Sequence, residues 1–190
     1  MRINIYIIIF LVISILSCTT DEKVNVSDYP IVTTIGELTN YYELNLDRTG
    51  VYEKCVATKY LDGSSELEYE YDLVDTEEFD PLFYSITIES ELTIEDAIDI
   101  YEFGKTTILT ANDLIGFGRI EIDSIDFPGD ANYYAIRTLE GEPNGLLFMT
   151  RQDKSIYTMI VSGLYSEDHS ILTDLVFPEI EKLSEFSLKN

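Results

Sequence analysis

Residues 66–73 read Glu-Leu-Glu-Tyr-Glu-Tyr-Asp-Leu, an unbroken alternation of acid and apolar side chain. Successive side chains of a strand point to opposite faces, so Leu67, Tyr69, Tyr71 and Leu73 share one face and Glu66, Glu68, Glu70 and Asp72 the other. A helix would scatter both sets around its axis. The pattern specifies a strand that is buried on one side and wet on the other, the habit of antiparallel sheets. The turn sequence Asp62-Gly63-Ser64-Ser65 stands before it, and the segment 54–61 stands before that turn. Together they predict a hairpin with Asp-Gly turn chemistry.

The same period recurs along the chain. Residues 82–89 alternate through Leu82, Tyr84, Ile86 and Ile88, and 117–126, 132–139, 146–151 and 155–162 are four further strand candidates. Pro128-Gly129-Asp130, a Gly141-to-Gly145 loop and Gln152-Asp153-Lys154 separate them as the turns of a meander. The period shifts to that of a helix after Thr93, an N-cap followed by Glu95 and Asp96 in the first turn. Ile94, Ala97, Ile98, Tyr101, Ile108 and Leu109 then share a face, and Gly104-Lys105 predicts a kink or an end within it. A second helical stretch runs through Ile171, Leu172, Leu175 and Val176, and Pro178 predicts a break near Phe177. Residues 35–46 fit either a short helix or a strand. The fold class expected is α+β: a mainly antiparallel sheet of hairpins with one face packed on two amphipathic helices, in a single domain over 31–190.

Charge excludes whole classes of partner. Against 36 Asp and Glu stand 12 Lys and Arg, a formal charge of −24. Phosphate backbones and anionic bilayers are bound through basic side chains, so nucleic acid is excluded as a partner. The N-terminus carries Arg2 and then an apolar run over 5–16. As a helix that run covers about 18 Å, short of the ~30 Å hydrocarbon core, and it fits a signal peptide over 1–17. Ile15-Leu16-Ser17-Cys18 resembles the lipobox of bacterial lipoproteins. The resemblance implies that Cys18 becomes the acylated N-terminus and that its acyl chains hold the chain on a membrane. Thr19 after the cysteine implies the outer membrane of a Gram-negative bacterium, facing the periplasm or the cell surface. Residues 18–30 then read as the lipidated cysteine and a polar tether. Cys55, the other cysteine, sits in an alternating segment as a small buried side chain.

The order of elements also resembles the PsbP-like proteins. Leu92-Thr-Ile-Glu-Asp-Ala-Ile98 is similar to that family's helix start, residues 118–161 to its meander, and Pro178-Glu-Ile-Glu-Lys-Leu-Ser-Glu-Phe186-Ser-Leu188 to its last helix and tail. The likeness covers roughly 51–188 and implies an architecture and a habit of binding other proteins. It carries over no functional residue. The chain departs from the family in having no Trp and one extra residue between the Ser and Phe of the tail.

Catalytic chemistry has little material. His169 is the single histidine and has no Gly-x-Ser-x-Gly elbow beside it. Ile115-Gly116-Phe117-Gly118-Arg119 lacks the third glycine of a dinucleotide fingerprint and runs from helix to strand. Two acidic turns gather oxygen ligands, Asp75/Glu77/Glu78/Asp80 and Asp123/Asp126/Asp130, without the EF-hand spacing. Asn25-Val26-Ser27 forms a glycosylation sequon. No catalytic residue, metal ligand or cofactor is assigned. The expectation is a non-enzymatic, lipid-anchored envelope protein that binds a protein partner or serves as an accessory module. A calcium- or small-ligand-binding protein using the acidic turns is the alternative, and a glycan hydrolase built on a carboxylate pair comes third. Radiolabelled palmitate is expected to enter the wild-type chain and not Cys18→Ala; label in both overturns the anchoring.

Overall fold

The computed structural model describes residues 20–43, 51–73, 82–123, 126–165 and 169–189. In chain order these form β1 (Thr20–Lys23), α1 (Ile35–Tyr41), β2 (Val51–Lys59), β3 (Ser65–Leu73), β4 (Phe83–Ser90) and α2 (Ile94–Leu114). The meander β5 (Phe117–Glu121), β6 (Ala131–Leu139), β7 (Glu142–Gln152) and β8 (Ser155–Ser162) follows, with a short α3 (Phe177–Ile180) near the end. All eight strands make one sheet in the order β1-β2-β3-β4-β8-β7-β6-β5. Every described pairing is antiparallel. The expected α+β class holds, with the sheet dominant.

Two neighbouring register rows show how alternation sorts the residues. The row Cys55, Tyr69, Ile86, Met159, Phe148 and Tyr134 crosses six strands and is buried throughout. One residue along, on the opposite face, the row reads Lys54, Glu70, Ser85, Ile160, Leu147, Ala135 and Glu121. It is polar over β2–β4 and becomes apolar over β8–β6. The first face is therefore covered across its width, whereas the second is covered only over the meander.

The cover of the first face comes from both ends of the described chain. Tyr29, Val32, Ile35 and Leu38 pack on it from the N-terminal side, and Ile171, Leu172, Val176, Ile180 and Leu183 from the C-terminal side. Two tyrosines, Tyr84 and Tyr69, reach from the sheet into this cover with their hydroxyls paired. Tyr84 donates to the carbonyl of Thr33 at 2.7 Å, and Tyr69 Oη accepts from the Ile35 amide at 3.1 Å while donating to Glu53 at 2.8 Å. Phe148 sits among the rings of Phe127, Tyr157 and Phe177 at centroid distances of 5.4 to 6.2 Å. Apolar area and these two satisfied hydroxyls thus lie in one layer, which suits a core without Trp.

Several elements differ from the sequence expectation. Residues 20–30, expected in the tether, are folded: β1 adds to β2 as an edge strand, and Tyr29 is buried. The open segment after residue 34 resolves as helix, because Thr34 and Glu37 form a full capping box. α2 runs through Gly104 without a break. A Cβ there would lie 3.6 Å from the Met149 side chain, an ordinary van der Waals contact, so the helix passes through this position without needing a glycine. The break before Pro178 takes the form of a π turn over Leu172–Val176 leading into α3. Both faces of the sheet, rather than one, are packed on helical segments. No helix among the described residues is long and apolar enough to cross a membrane.

On the uncovered half of the second face the acids crowd. Glu66 and Glu89 stand directly opposite each other on β3 and β4, a repulsive pairing. Glu66 accepts from Tyr60 at 3.0 Å. Burial, then the charges of Glu66 and Glu91, push the Glu89 carboxyl up from 4.5 to about 7. The folded protein holds this proton up to about 7 while the unfolded chain releases it near 4.5, so folding takes up a proton between those values. Stability is expected to fall as pH rises through that window, and Glu89→Gln to flatten the fall. Thermal melts of the two proteins across pH 4 to 8 that run parallel would refute this.

Candidate functional site

α2 fits the sheet tightly at its start and loosely at its end. Near the N-terminus Ala97 and Tyr101 pack on Met149 and Ile156, and all four are buried. Toward the C-terminus the residues facing the sheet are Ile108, Ala111, Asn112 and Ile115. Ala111 and Asn112 are too short to span the gap. A cavity of about 530 Å³ remains between this end of α2 and strands β4 to β8, inside the size range of small-molecule sites (about 300–1,000 Å³). Phe83, Phe117, Leu139, Leu147 and Ile160 line its apolar walls. The polar groups on it are Arg137, Asn112, Asn144 and Ser162. Among the described lining residues there is no carboxylate, histidine or thiol.

Arg137 is the feature that stands out chemically. Its position comes from the register: Phe83, Ser162, Gly145, Arg137 and Arg119 form one row across β4, β8, β7, β6 and β5. Gly145 offers no side chain, so the guanidinium lies across β7 to reach β8. A Cβ at 145 would fall 2.0 Å from the carbonyl oxygen of Val161, so the strands approach closely only because this residue is glycine. Arg137 Nη1 donates to Ser162 Oγ and, at 3.4 Å, to the Val161 carbonyl. Its Nε donates to Asn112 Oδ1 at 2.9 Å, and its guanidinium carbon lies 4.0 Å from the centre of the Phe117 ring. Asn112 in turn donates to the carbonyls of Phe117 and Gly118, tying the end of α2 to the start of β5.

None of these partners carries a charge. Arg137 is only 4% exposed. The other two described arginines are each paired with an acid, Arg119 with Asp113 and Glu121, and Arg151 with Asp130. Arg137 has no such partner among the described residues. Burial lowers its pKa to about 10, which leaves it cationic at neutral pH. An unpaired buried charge costs several kcal/mol, and here it sits at the wall of an apolar cavity in a chain rich in unused acids.

The residues singled out by sequence lie elsewhere. Cys18 and the acids at 75, 77, 78 and 80 lie outside the described residues. Asp123 and Asp126 are exposed, and Asp130 is engaged by Arg151 at 3.1 Å and by the amide of Asp153 at 2.8 Å. No three His, Cys, Asp or Glu side chains among the described residues group as metal ligands. His169 Nδ1 lies 2.6 Å from the Tyr134 hydroxyl, with the two rings edge to face, so the histidine is part of the packing. Cys55 is buried and free, and burial, with Glu68 nearby, pushes its thiol up to about 11; it is not a reactive thiol. Asn25 Oδ1 accepts from the Ser27 amide and caps a 3-10 turn.

Sequence reasoning missed Arg137 and Asn112, although each left a signal. Arg137 shares its strand face with Tyr133, Ala135 and Leu139, where alternation calls for an uncharged side chain. Asn112 continues the stripe of Ala97, Tyr101 and Ile108 by one further helical step. Asn112→Ala, which leaves Arg137 Nε without its acceptor, is expected to destabilise the fold by about 1–3 kcal/mol in urea denaturation. Alanine's better helix propensity returns at most about 0.7 kcal/mol, less than this loss, so an unchanged midpoint would remove the structural role assigned to Asn112. In comparison with known proteins, the chain matches no family model, no curated protein and no solved structure.

Proposed function

We propose that this chain is an envelope lipoprotein, anchored through Cys18 in the outer membrane of a Gram-negative bacterium, that binds a small, largely apolar molecule beneath the C-terminal half of α2. The cavity of about 530 Å³ is the observation that carries this reading. Apolar walls with a few fixed polar groups are what a small-molecule site requires. The described lining offers no general acid, base or nucleophile, which favours binding over turnover. The broader expectation of a binding or accessory module becomes specific in this form. A PsbP-like architecture belongs to the same proposal. It is supported by the helix that starts at Ile94 and by the β5–β8 meander; the closing segment is two short helical pieces, Phe177–Ile180 and Leu183–Glu185, where the likeness implies one helix.

A neutral apolar dye, N-phenylnaphthylamine, is expected to bind the chain from residue 18 onward, which holds every described element, with a saturable rise in fluorescence. Ala111→Trp fills the cavity from the helix side, where residue 111 is otherwise exposed. That variant is expected to lose most of the dye signal while keeping the wild-type melting temperature. Equal dye binding by both proteins would remove the cavity from the proposal.

A further inference from the structure

We infer that the molecule bound in this cavity is a monocarboxylate with an apolar body, its carboxylate paired with the guanidinium of Arg137. The inference rests on the cavity being a ligand site and adds the chemical class of the ligand. Three observations lead to it. Arg137 is buried at the cavity wall and has no acid among its neighbours, whereas both other described arginines have one. Its Nε and Nη1 are held by Asn112, Val161 and Ser162, while Nη2 has no partner among the described residues. The remaining walls are apolar apart from neutral amide and hydroxyl groups.

These conditions narrow the ligand from both ends. A guanidinium fixed in orientation by three neutral partners presents the N–H groups of Nη2 to an anion at little further ordering cost, and a carboxylate oxygen accepts a charge-assisted hydrogen bond there. One cation supports one negative charge. A dianion would bring a second charge against Phe117, Leu139 and Leu147, where nothing neutralises it. A neutral apolar molecule would fill the walls but leave the guanidinium without a counter-charge. A cationic amphiphile would be repelled by it. Dispersion and burial along the apolar body supply affinity, and the ion pair supplies the choice between headgroups.

Displacement of N-phenylnaphthylamine tests this with three probes that share one chain and differ in headgroup: decanoate, decanol and decyltrimethylammonium. Decanoate is expected to bind roughly ten- to a hundredfold more tightly than decanol, and the ammonium more weakly than either. Arg137→Met is expected to lose the preference for decanoate over decanol, read as the ratio of the two affinities; circular dichroism and melting curves confirm that it is folded. Arg137→Lys keeps the charge without the planar fork and is expected to retain part of the preference. Wild-type protein that binds decanol and decanoate equally overturns the carboxylate assignment while leaving the cavity as a ligand site. A preference that survives in Arg137→Met overturns it as well. Failure of both the dye and all three probes to bind overturns the carboxylate assignment together with the cavity reading.

Discussion

Strand β4 takes β8 as its neighbour, in register from Phe83–Ser162 to Ser90–Ser155, so the chain that leaves β4 cannot turn back beside it. It must travel to the far edge of the sheet and return strand by strand through β5, β6 and β7. α2 is that passage. Its 21 residues span about 31 Å, enough to cross four strands spaced at roughly 4.8 Å. Crossing also obliges the helix to lie on the second face, because the first is filled by the segments on either side of the sheet. The cover of the meander, the bare acidic half beside it and the gap under the helix end all follow from this one pairing.

The strands were legible because their information is local. Alternation from Leu67 to Tyr71, or from Leu82 to Ile88, declares a period and a buried face without reference to anything distant. Thr93 likewise announced the start of α2 by its own capping chemistry, and it accepts the Asp96 amide at 3.1 Å. What stayed hidden depends on neighbours far away in the chain. β1 is a strand only because β2 offers an unpaired edge; Thr20-Asp21-Glu22-Lys23 by itself is a polar run. Gly104 suggested a helix break, but α2 is held on the sheet on both sides of it, by Ala97 and Tyr101 before and Ile108 after. The cavity needs α2, β4, β5, β6, β7 and β8 together, and no stretch of sequence encodes such a meeting.

Arg137 is hard to account for by stability alone. A fold seeking only a firm core would place an aliphatic side chain there, and one needing a cation would draw on any of the abundant acids for a counter-charge. Instead, three neutral groups hold the guanidinium, and Gly145 gives up its side chain to let it pass. Acids are kept to the other half of the same face, where Lys54 meets Glu68 and Glu70, and Glu66 opposes Glu89. Among the described residues, one face of one sheet thus carries a region of crowded negative charge and, a few strands away, a buried arginine with no acid partner, the other buried arginine, Arg151, being paired with Asp130. An anion nearing the protein is turned from the first region and has only the second to enter.

The pairing of β1 with β2 has a mechanical meaning. With Thr20 already matched to Lys59, a single residue, Thr19, separates the sheet from Cys18, the proposed site of acylation. A loose linker would let the domain tumble above the membrane and sweep a wide volume. On the proposed anchoring, so short a spacer would act as a hinge pin at the β1 edge, keeping that rim of the sheet near the lipid. The cavity lies toward the opposite rim, about 20–25 Å along the sheet from that pin. It would therefore be carried at a set standoff from the bilayer surface, able to meet solutes arriving through water and out of reach of acyl chains still packed in the leaflet.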